Sequence, residues 1–237
     1  MSVGRPLGVF RDLGSRLLDA ALPGRCAGCG AEGAALCDAC MPALDARLDL
    51  SAGTLIGLPA ELPPRLVQLE WCAPFAGTVR RALHDLKYAG EQRLAEPLGR
   101  AVARRWSRVG AGGDVIVPVP VHRDRERRRG YDQAALIAAV AARHLGLPVA
   151  GIVERARSTA AQYELDRGQR AANVHGAFGL VPLPAGSRSG RGPPLAGRWI
   201  ILVDDVVTTG STLAECATVL LDAGAMAVSA ITVARER

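Results

Sequence analysis

The segment Trp199-Ile-Ile-Leu-Val-Asp-Asp-Val-Val-Thr-Thr-Gly-Ser-Thr-Leu213 gives the strongest indication of the fold. Its apolar run Ile200–Val203 is typical of a buried central strand in a parallel sheet. Asp204 and Asp205 follow where we expect that strand to leave the sheet. Two adjacent carboxylates beside an apolar strand are costly unless something binds them. The stretch therefore predicts a strand, a ligand-binding turn and a helix, in that order.

The turn that follows the aspartates has the composition of an anion site. Gly210 lets the backbone approach a ligand closely, and the first N–H groups of the next helix have no partner within it. Four hydroxyl groups add hydrogen-bond donors, on Thr208, Thr209, Ser211 and Thr212. A phosphate site lies next to carboxylates that can accept hydrogen bonds from a sugar diol. The ligand that has both groups is a ribose 5-phosphate, as in phosphoribosyl pyrophosphate. The alternative is an acidic strand end before an ordinary Ser/Thr helix cap.

The elements on either side of this stretch alternate between strands and helices. The predicted strands are Leu66–Phe75, Val115–Val121, Pro148–Val153, Trp199–Val203 and Ala227–Val233. The predicted helices are Val79–Leu86 with an end at Gly90, Glu91–Val109, Asp132–Leu145 and Ser211–Ala223. The polar stretch Glu154–Asn173 is expected to be mobile or partly helical, and the Pro/Gly-rich residues 181–197 are expected to form an irregular loop. This alternation predicts an α/β domain whose parallel sheet is covered by helices on both faces.

Four of the six cysteines fall close together near the start of the chain. They form two CxxC knuckles that are seven residues apart, Cys26/Cys29 and Cys37/Cys40. Two residues between cysteines let one tight turn direct both sulfurs to one metal, and four thiolates complete a closed tetrahedral Zn²⁺ site. We expect a structural role, since so small a segment has little core of its own. An iron–sulfur cluster or a redox pair is the alternative.

The bulk properties of the chain narrow the class of protein. Its 237 residues carry a net charge of +6, mostly from arginine. This charge suits phosphates or nucleic acid as partners, although a soluble surface explains it equally well. No apolar stretch reaches the roughly 18–20 residues that a membrane span needs. The first 25 residues have helical apolar spacing broken by charges, which is not a secretory signal, so we expect a cytoplasmic protein.

An arginine-rich stretch follows the first predicted core strand. It reads Pro118-Val-Pro-Val-His-Arg-Asp-Arg-Glu-Arg-Arg-Arg-Gly130 and is expected to be a loop. Such a loop can bind pyrophosphate or the backbone phosphates of DNA. The alternative is a solvated charged loop. Only Tyr131 is an aromatic neighbour in the sequence, which gives poor support for a platform that stacks single-stranded bases.

The segment Val203–Thr212 is similar to the ribose-phosphate fingerprint of type I phosphoribosyltransferases. The resemblance implies that Asp204 and Asp205 are the catalytic pair and hold the ribose hydroxyls, directly or through Mg²⁺-bound water. It also implies that the ligand-binding run includes Val206 and Val207 and that the 5-phosphate binds Thr208–Thr212. Several purine-salvage members have an aspartate where this chain has Thr208, so salvage of 6-oxopurines is less expected.

The order of motifs along the chain is more specific than that fingerprint. The two cysteine knuckles are followed by Leu86-Lys87-Tyr88-Ala-Gly90, then Pro118-Val119-Pro120 with Arg129-Gly130, then Thr159, Gln162, Arg170 and Asn173, and then the aspartates. From about Cys26 to Val233 this order resembles the ComF (competence protein F) family. The resemblance implies a pyrophosphate-side loop with Pro118, Val119, Pro120 and Arg129, and a flexible closing loop with Thr159, Gln162 and Arg170. Family members usually have Phe-Asn at Tyr131-Asp132, which weakens any ligand role for Asp132.

The sequence thus predicts a type I phosphoribosyltransferase-like parallel sheet flanked by helices, with a small N-terminal zinc-ribbon module. The expected divisions are an amphipathic helix over residues 1–24, the ribbon over 25–45, a connector over 46–70 and the main domain over 71–237. One hypothesis is an enzyme that binds Mg²⁺–phosphoribosyl pyrophosphate and transfers phosphoribosyl to an unknown acceptor. The other is a regulatory DNA-uptake module that binds single-stranded DNA or a helicase. A homodimer is compatible with both.

Overall fold

The computed structural model describes residues 24–53, 62–155, 176–181 and 195–236. The helix expected at the N-terminus lies outside the described residues except for Gly24. The expected closing loop with Thr159, Gln162 and Arg170 also lies outside them. Within the described ranges, no helix combines the length and apolar character that a membrane crossing requires.

The centre of the fold is a four-stranded parallel sheet. The strands of the chain are β1 Gln68–Pro74, β2 Val115–Pro118, β3 Val153–Arg155, β4 Phe178–Leu180, β5 Trp199–Val207 and β6 Ala227–Arg235. The order in the main sheet is β1-β6-β5-β2, while β3 and β4 form a separate antiparallel pair. The segment that gives the strongest indication of the fold therefore lies at the centre of the sheet, between β6 and β2.

Helices cover this sheet on both faces. They are α1 Gly77–His84, α2 Ala95–Val109, α3 Arg123–Arg129, α4 Gln133–Leu145 and α5 Ser211–Asp222. A π-helical turn, Asp85–Ala89, extends α1 and ends at Gly90 in the left-handed conformation (φ 73°). Short 3-10 helices lie at Met41–Asp45 and Gln92–Leu94, and the second leads directly into α2.

The alternation of side chains along β5 explains why two hydrophobic cores form. Ile201 and Val203 pack into the core beneath α2 and α4, while Ile200 and Leu202 pack into the core beneath α5. All four side chains are buried, as expected for a central strand with a helix layer on each face. The predicted α/β sheet with flanking helices is confirmed.

The arginine-rich stretch is a helix, so the prediction of a loop was wrong. The helix Arg123–Arg129 begins at His122, whose Nδ1 accepts the Asp124 N–H at 3.2 Å. It ends at Gly130, which is left-handed (φ 81°). Its first turn is acidic and its last turn basic, which matches the helix dipole. The sequence pattern concealed the helix because these seven residues have no apolar stripe.

Two predicted strand boundaries also need correction. Of the strand predicted over Pro148–Val153, only Val149 reaches the sheet, in a single bridge to Ile116. The Ile116 N–H donates to the Pro148 carbonyl and the Ala150 N–H donates to the Ile116 carbonyl, both at 2.9 Å, and the chain then leaves this sheet to form β3. In contrast, β5 runs on past Val203 to Val207, because β6 stays paired with it.

Candidate ligand-binding site and candidate metal centre

The two aspartates of β5 lie at the open carboxyl edge of the sheet. The neighbouring strand β2 ends opposite Val203, so in the described part of the chain β5 has only β6 beside it from Asp204 onward. Asp204 is opposite Thr232 of β6 and is half-buried, whereas Asp205 is buried. Open α/β sheets bind ligands at this edge, where one strand extends beyond its neighbour.

Lys87 is a site residue that the sequence analysis did not place there. Its ammonium forms an ion pair with Asp205 Oδ2, and the two side chains are only 21% and 7% exposed. A residue outside the π-helical turn fixes the backbone of the turn that carries Lys87, because the Tyr131 hydroxyl donates to the Leu86 carbonyl. The motif Leu86–Gly90 contained this residue, but nothing local in the sequence points its side chain at Asp205.

The three charged groups shift one another's pKa values. Burial alone would lower the pKa of Lys87, but the charges of Asp205 and Asp204 raise it overall. Burial alone would raise the pKa of Asp205, but the Lys87 ammonium lowers it overall. For Asp204, burial and then the charge of Asp205 raise the pKa well above its usual range. The site therefore holds Asp205 as a paired carboxylate and leaves Asp204 ready to take a proton.

The turn after β5 has the geometry of a helix N-terminal anion site. Gly210 adopts a left-handed conformation (φ 81°) and caps α5, and its carbonyl accepts the Ala214 N–H at 2.9 Å. The hydroxyl oxygens of Thr209 and Ser211 lie 3.0 Å apart at the surface. A Cβ at position 210 would lie 2.4 Å from Pro63 Cγ, so a glycine is required by both conformation and space.

Two members of the predicted ligand-binding run point into the protein. The side chain of Val207 is buried, and Val206 packs against the core beneath α2 and α4. The carbonyl of Val207 accepts the Glu236 N–H at 2.9 Å. These residues therefore position the turn, while the accessible hydroxyl groups belong to the residues from Thr208 to Thr212.

The predicted pyrophosphate-side loop lies beside the aspartates. Pro118 is opposite Val203 in the sheet, and the Val119 N–H donates to the Val203 carbonyl at 2.9 Å. Asp132, rather than contacting solvent anions, accepts the Val121 N–H at 3.1 Å and caps α4 through the Ala135 N–H at 3.1 Å. A carboxylate at position 132 thus holds the loop that contains Pro120.

Arg129 lies at the end of α3 that is nearest to the Lys87 turn. Its Nη1 donates to Gln133 Oε1 at 2.7 Å, and its guanidinium lies 5.0 Å from the ring centroid of Tyr88. The fold therefore brings together the aspartates, the anion turn, the 118–120 loop and Lys87. A separate groove of about 390 Å³ between Leu48, α2 and His144 contains none of these residues.

The four clustered cysteines have the geometry of a metal centre. Their Sγ atoms all lie within 4.8 Å of one another, and those of Cys29 and Cys37 are 3.6 Å apart. A tetrahedral zinc site with Zn–S bonds of about 2.3 Å has sulfur–sulfur edges of roughly 3.8 Å. Backbone N–H groups of Gly28 and Cys37 donate to Cys26 Sγ, both at 3.3 Å. This set of donors could hold a metal such as zinc.

The cysteines differ in how easily they ionise. Burial opposes ionisation of Cys26, but N–H donors led by that of Cys37 outweigh it and lower its pKa to about 6. Burial and the neighbouring sulfurs raise the pKa of Cys40 to about 12. Thiolate is the form that binds metal, so Cys26 loses its proton to a metal more readily than Cys40.

The cysteine module packs directly on α1. Arg81 donates from Nε to the Ala27 carbonyl at 3.0 Å and from Nη2 to the Gly28 carbonyl at 2.8 Å. A Cβ at Gly28 would lie 2.5 Å from Cys40 Sγ and 2.9 Å from Thr78 Cγ2, which shows how close the contact is. Because α1 continues into the turn that carries Lys87, the module supports one side of the candidate site.

A parallel sheet with helices on both faces, and with an acidic strand end before an anion-binding turn, defines a type I phosphoribosyltransferase-like domain. The family model described as "Phosphoribosyl transferase domain" matches residues 132–237. A curated relative, the DNA utilization protein YhgH of Escherichia coli (strain K12), is 33% identical over 211 residues, which cover 81% of this chain and 87% of that protein. The chain belongs to the ComF family, and the predictions of family and fold are confirmed.

The chain is similar to two further proteins. Competence protein F of Haemophilus influenzae is 38% identical over 112 residues, which cover 47% of this chain and 45% of that protein. Among solved structures, the glutamine phosphoribosylpyrophosphate amidotransferase from B. subtilis aligns over 58% of this chain and 25% of that chain, with 21% identity and a TM-score of 0.37. The family assignment rests on the sequence relatives.

Proposed function

We propose that this chain binds Mg²⁺–phosphoribosyl pyrophosphate at Asp204–Thr212 and transfers the phosphoribosyl group to an acceptor. One observation carries the proposal: a half-buried and a buried carboxylate lie side by side at the open edge of β5, five residues before a left-handed glycine that begins a helix. The carboxylates can bind a ribose diol or a hydrated cation, and the helix N-terminus after the glycine can bind a phosphate. The phosphoribosyltransferase domain of the family supports the same reading.

The proposed roles follow from position. Asp204 and Asp205 accept hydrogen bonds from the ribose hydroxyls or from water on Mg²⁺, and the turn binds the 5-phosphate through N–H and hydroxyl donors. Bound Mg²⁺ supplies charge that stabilises the departing pyrophosphate. Pro118, Val119, Pro120 and Arg129 are assigned to the pyrophosphate side. Thr159, Gln162 and Arg170 are assigned to the closing loop, on the resemblance alone.

Asp205 is the residue through which binding is best tested. We expect Asp205→Ala to weaken binding of Mg²⁺–phosphoribosyl pyrophosphate by roughly 10- to 150-fold, since a charge-assisted contact of roughly 1.5–3 kcal/mol is lost. Titration calorimetry measures this affinity, and circular dichroism shows whether the variant folds. Asp222→Asn is the control, because it removes an exposed carboxylate at the far end of α5. Unchanged affinity in a folded Asp205→Ala protein would contradict the proposal.

Transfer is tested separately from binding. Release of pyrophosphate should be measured over bases, amines and DNA ends as acceptors. Thr208 stands where several purine-salvage members have an aspartate, so we expect 6-oxopurines to be poor acceptors. Binding without turnover for every acceptor would favour the non-catalytic function described below.

We also propose that the four cysteines bind one structural Zn²⁺. Four sulfur ligands leave no open coordination position, so the ion has no direct role in catalysis. Elemental analysis of the purified chain should give one zinc per molecule. Loss of zinc to a chelator should unfold the ribbon, because the metal supplies much of its stability.

A second candidate function is the handling of single-stranded DNA. The observation that favours it is the contact between the Arg129 guanidinium and the exposed ring of Tyr88. The same helix, α3, also exposes Arg127 and Arg128. A basic helix beside an exposed ring is the combination that binds single strands without sequence preference. The relatives' names, DNA utilization protein and Competence protein F, point to the same class of partner. A helicase partner is part of this hypothesis.

The second function predicts salt-dependent binding that relies on α3. Fluorescence anisotropy with a labelled single strand should show weaker binding when Arg127, Arg128 and Arg129 are replaced by glutamine. Three neutralised phosphate contacts should also reduce the slope of log K against log salt by about 2. The control replaces Arg80, Arg100 and Arg198, which removes the same charge from other exposed positions. Equal affinity in the two triple variants would count against a DNA site on α3.

A further inference from the structure

Lys87 is the only lysine in this chain. The sequence has 29 lysines and arginines in total, and the other 28 are arginines. All the remaining lysine-or-arginine positions of the chain are arginine, and lysine occurs only at the position whose cation contacts Asp205. Because the two side chains differ in shape, hydration and the number of donors, this choice points to a requirement that arginine does not meet.

The contact between Lys87 and Asp205 occupies the carboxylate oxygen that a ligand would use. Asp205 Oδ1 accepts the N–H of Val206 at 2.8 Å, which leaves Oδ2 for other partners. Within the described residues, the polar contact of Oδ2 is the Lys87 ammonium. Asp204 adds a second carboxylate next to this pair, and its side chain is half-buried.

Two physical demands on Asp205 conflict. A carboxylate this deeply buried needs a cationic partner, because an unpaired buried charge is strongly unfavourable. A carboxylate that binds a hydrated cation or a sugar hydroxyl must expose a free oxygen to that ligand. Both demands are met only if the internal cation can leave when the ligand arrives.

We propose that Lys87 is a positioning residue that neutralises Asp205 while the site is empty and releases this carboxylate when a divalent cation binds. The inference rests on the proposed function, since it takes the cation to be the one that accompanies phosphoribosyl pyrophosphate. Lys87 thus keeps the empty site folded and sets how strongly the carboxylate pair attracts metal.

The structure explains why lysine suits an exchangeable partner. An ammonium is a compact point charge on a flexible stem and contacts one carboxylate oxygen, whereas a guanidinium binds both oxygens in a rigid fork. The backbone around Lys87 is held in place, since Leu86 is fully buried and its carbonyl accepts the Tyr131 hydroxyl. Exchange therefore needs only rotation of the Lys87 side chain, with no movement of the turn.

The single lysine makes a direct experiment possible. Reductive methylation with ¹³C-formaldehyde keeps the charge of the ammonium and labels one side chain, Lys87, together with the amino terminus. The amino terminus is assigned separately by its lower pKa, about 7.7–8.0. We expect the Lys87 methyl signal to shift when Mg²⁺ is added to the wild-type chain. In Asp205→Asn the signal should start from a different position and stay there.

Affinity for Mn²⁺ without phosphoribosyl pyrophosphate provides the quantitative test. Electron spin resonance of free Mn²⁺ should show that Lys87→Gln binds the ion about tenfold more tightly than the wild type, equivalent to ~1.4 kcal/mol. Lys87→Arg should bind it about tenfold more weakly, because the fork holds both oxygens. A purely structural counter-ion would tolerate arginine. The gain of Lys87→Gln should vanish in the double variant Lys87→Gln/Asp205→Asn.

The outcomes separate this inference from the proposed function. Equal Mn²⁺ affinity in wild type and Lys87→Gln, or a gain that persists without Asp205, overturns the role of Lys87 alone. A wild type that does not bind Mg²⁺–phosphoribosyl pyrophosphate, while Lys87→Gln gains Mn²⁺ affinity, overturns the proposed ligand and supports the counter-ion. If Lys87→Gln does not fold, the methyl signal of the wild type decides, and a signal that ignores Mg²⁺ overturns the inference.

Discussion

Asp204 differs from Asp205 because, among the residues that the structure describes, Lys87 forms its ion pair with Asp205 rather than with Asp204. Asp205 pairs with Lys87, so its pKa falls, whereas burial and the negative charge of Asp205 raise the pKa of Asp204. A ligand that brings positive charge or hydroxyl donors would relieve this cost. Asp204 therefore lowers the stability of the protein when no ligand is bound, and such a cost is common at positions where a protein binds a ligand.

Asp204→Asn should stabilise the empty protein at neutral pH. Folding raises the pKa of Asp204, so its favourable contribution is complete below the ordinary value of 3.8 and is lost as pH rises through the higher folded value. Asparagine is neutral throughout and keeps the Oδ1 that accepts the Asp205 N–H at 2.8 Å. Thermal melting should show a Tm gain of about 2–4 °C per kcal/mol at pH 7.

The same variant should lose its advantage in acid. The melting curves of Asp204→Asn and wild type should converge as pH falls below about 3.8. Asp222→Asn serves as the control for removal of an exposed charge. A lower Tm for Asp204→Asn at pH 7 would contradict the electrostatic cost assigned to Asp204.

At the scale of elements, the cysteine knuckle shows how a local turn depends on its neighbour. The turn that carries Cys26 and Cys29 passes so close to Cys40 that only glycine fits at position 28. Arg81 of α1 then fixes the same turn by donating to the carbonyls of Ala27 and Gly28. The candidate metal site is thus shaped by two knuckles and a helix together.

Gly28→Ala should weaken metal binding. The new Cβ would lie 2.5 Å from Cys40 Sγ, so one knuckle must move, and overpacking of this kind costs about 1–3 kcal/mol. We expect zinc affinity to fall by roughly 10- to 100-fold in competition with a chromophoric chelator. Gly151→Ala is the matched control, because its Cβ would contact nothing within 4 Å. Equal zinc affinity in both variants would refute this account of the knuckle.

At the scale of the whole molecule, a buried ionic network joins the N-terminal segment to the sheet. Glu70 of β1 accepts from Arg105 Nη2 at 2.7 Å and lies 3.8 Å from Arg47 Nη2. Arg105 also donates to the carbonyls of Arg47 at 2.6 Å and Leu50 at 2.5 Å. The residues from 47 to 51, expected to form part of a connector, are held in this way against α2 and the edge strand β1.

Glu70→Gln should destabilise the whole chain. Glutamine at position 70 would remove the buried negative charge that faces the guanidinium groups of Arg47 and Arg105, at a cost of about 3–5 kcal/mol. Urea unfolding measures this loss. Glu96→Gln is the comparison, because Glu96 pairs with Arg143 at the surface and should contribute only about 0–1 kcal/mol. Similar losses in the two variants would contradict a central role for the network.

Features that depend on neighbours along the chain could be predicted from the sequence. The strand, the aspartates and the glycine turn form one continuous segment, so their order alone predicts a ligand site at the edge of a parallel sheet. The CxxC spacing likewise predicts a metal centre, because two intervening residues fix the direction of both sulfurs. The expected α/β fold and the ComF family were both correct for this reason.

Contacts between distant segments depend on the packing of the whole fold and could not be predicted from the sequence. Lys87 reaches Asp205, Tyr88 meets Arg129, and Asp132 holds the 118–121 loop because packing of the helices brings these residues together. A run of charged residues does not show which partners its side chains will contact. Without an apolar stripe, it also did not reveal that the arginine-rich stretch is a helix. The identity of the site follows from local backbone chemistry, whereas its charge balance follows from long-range packing that no single segment encodes.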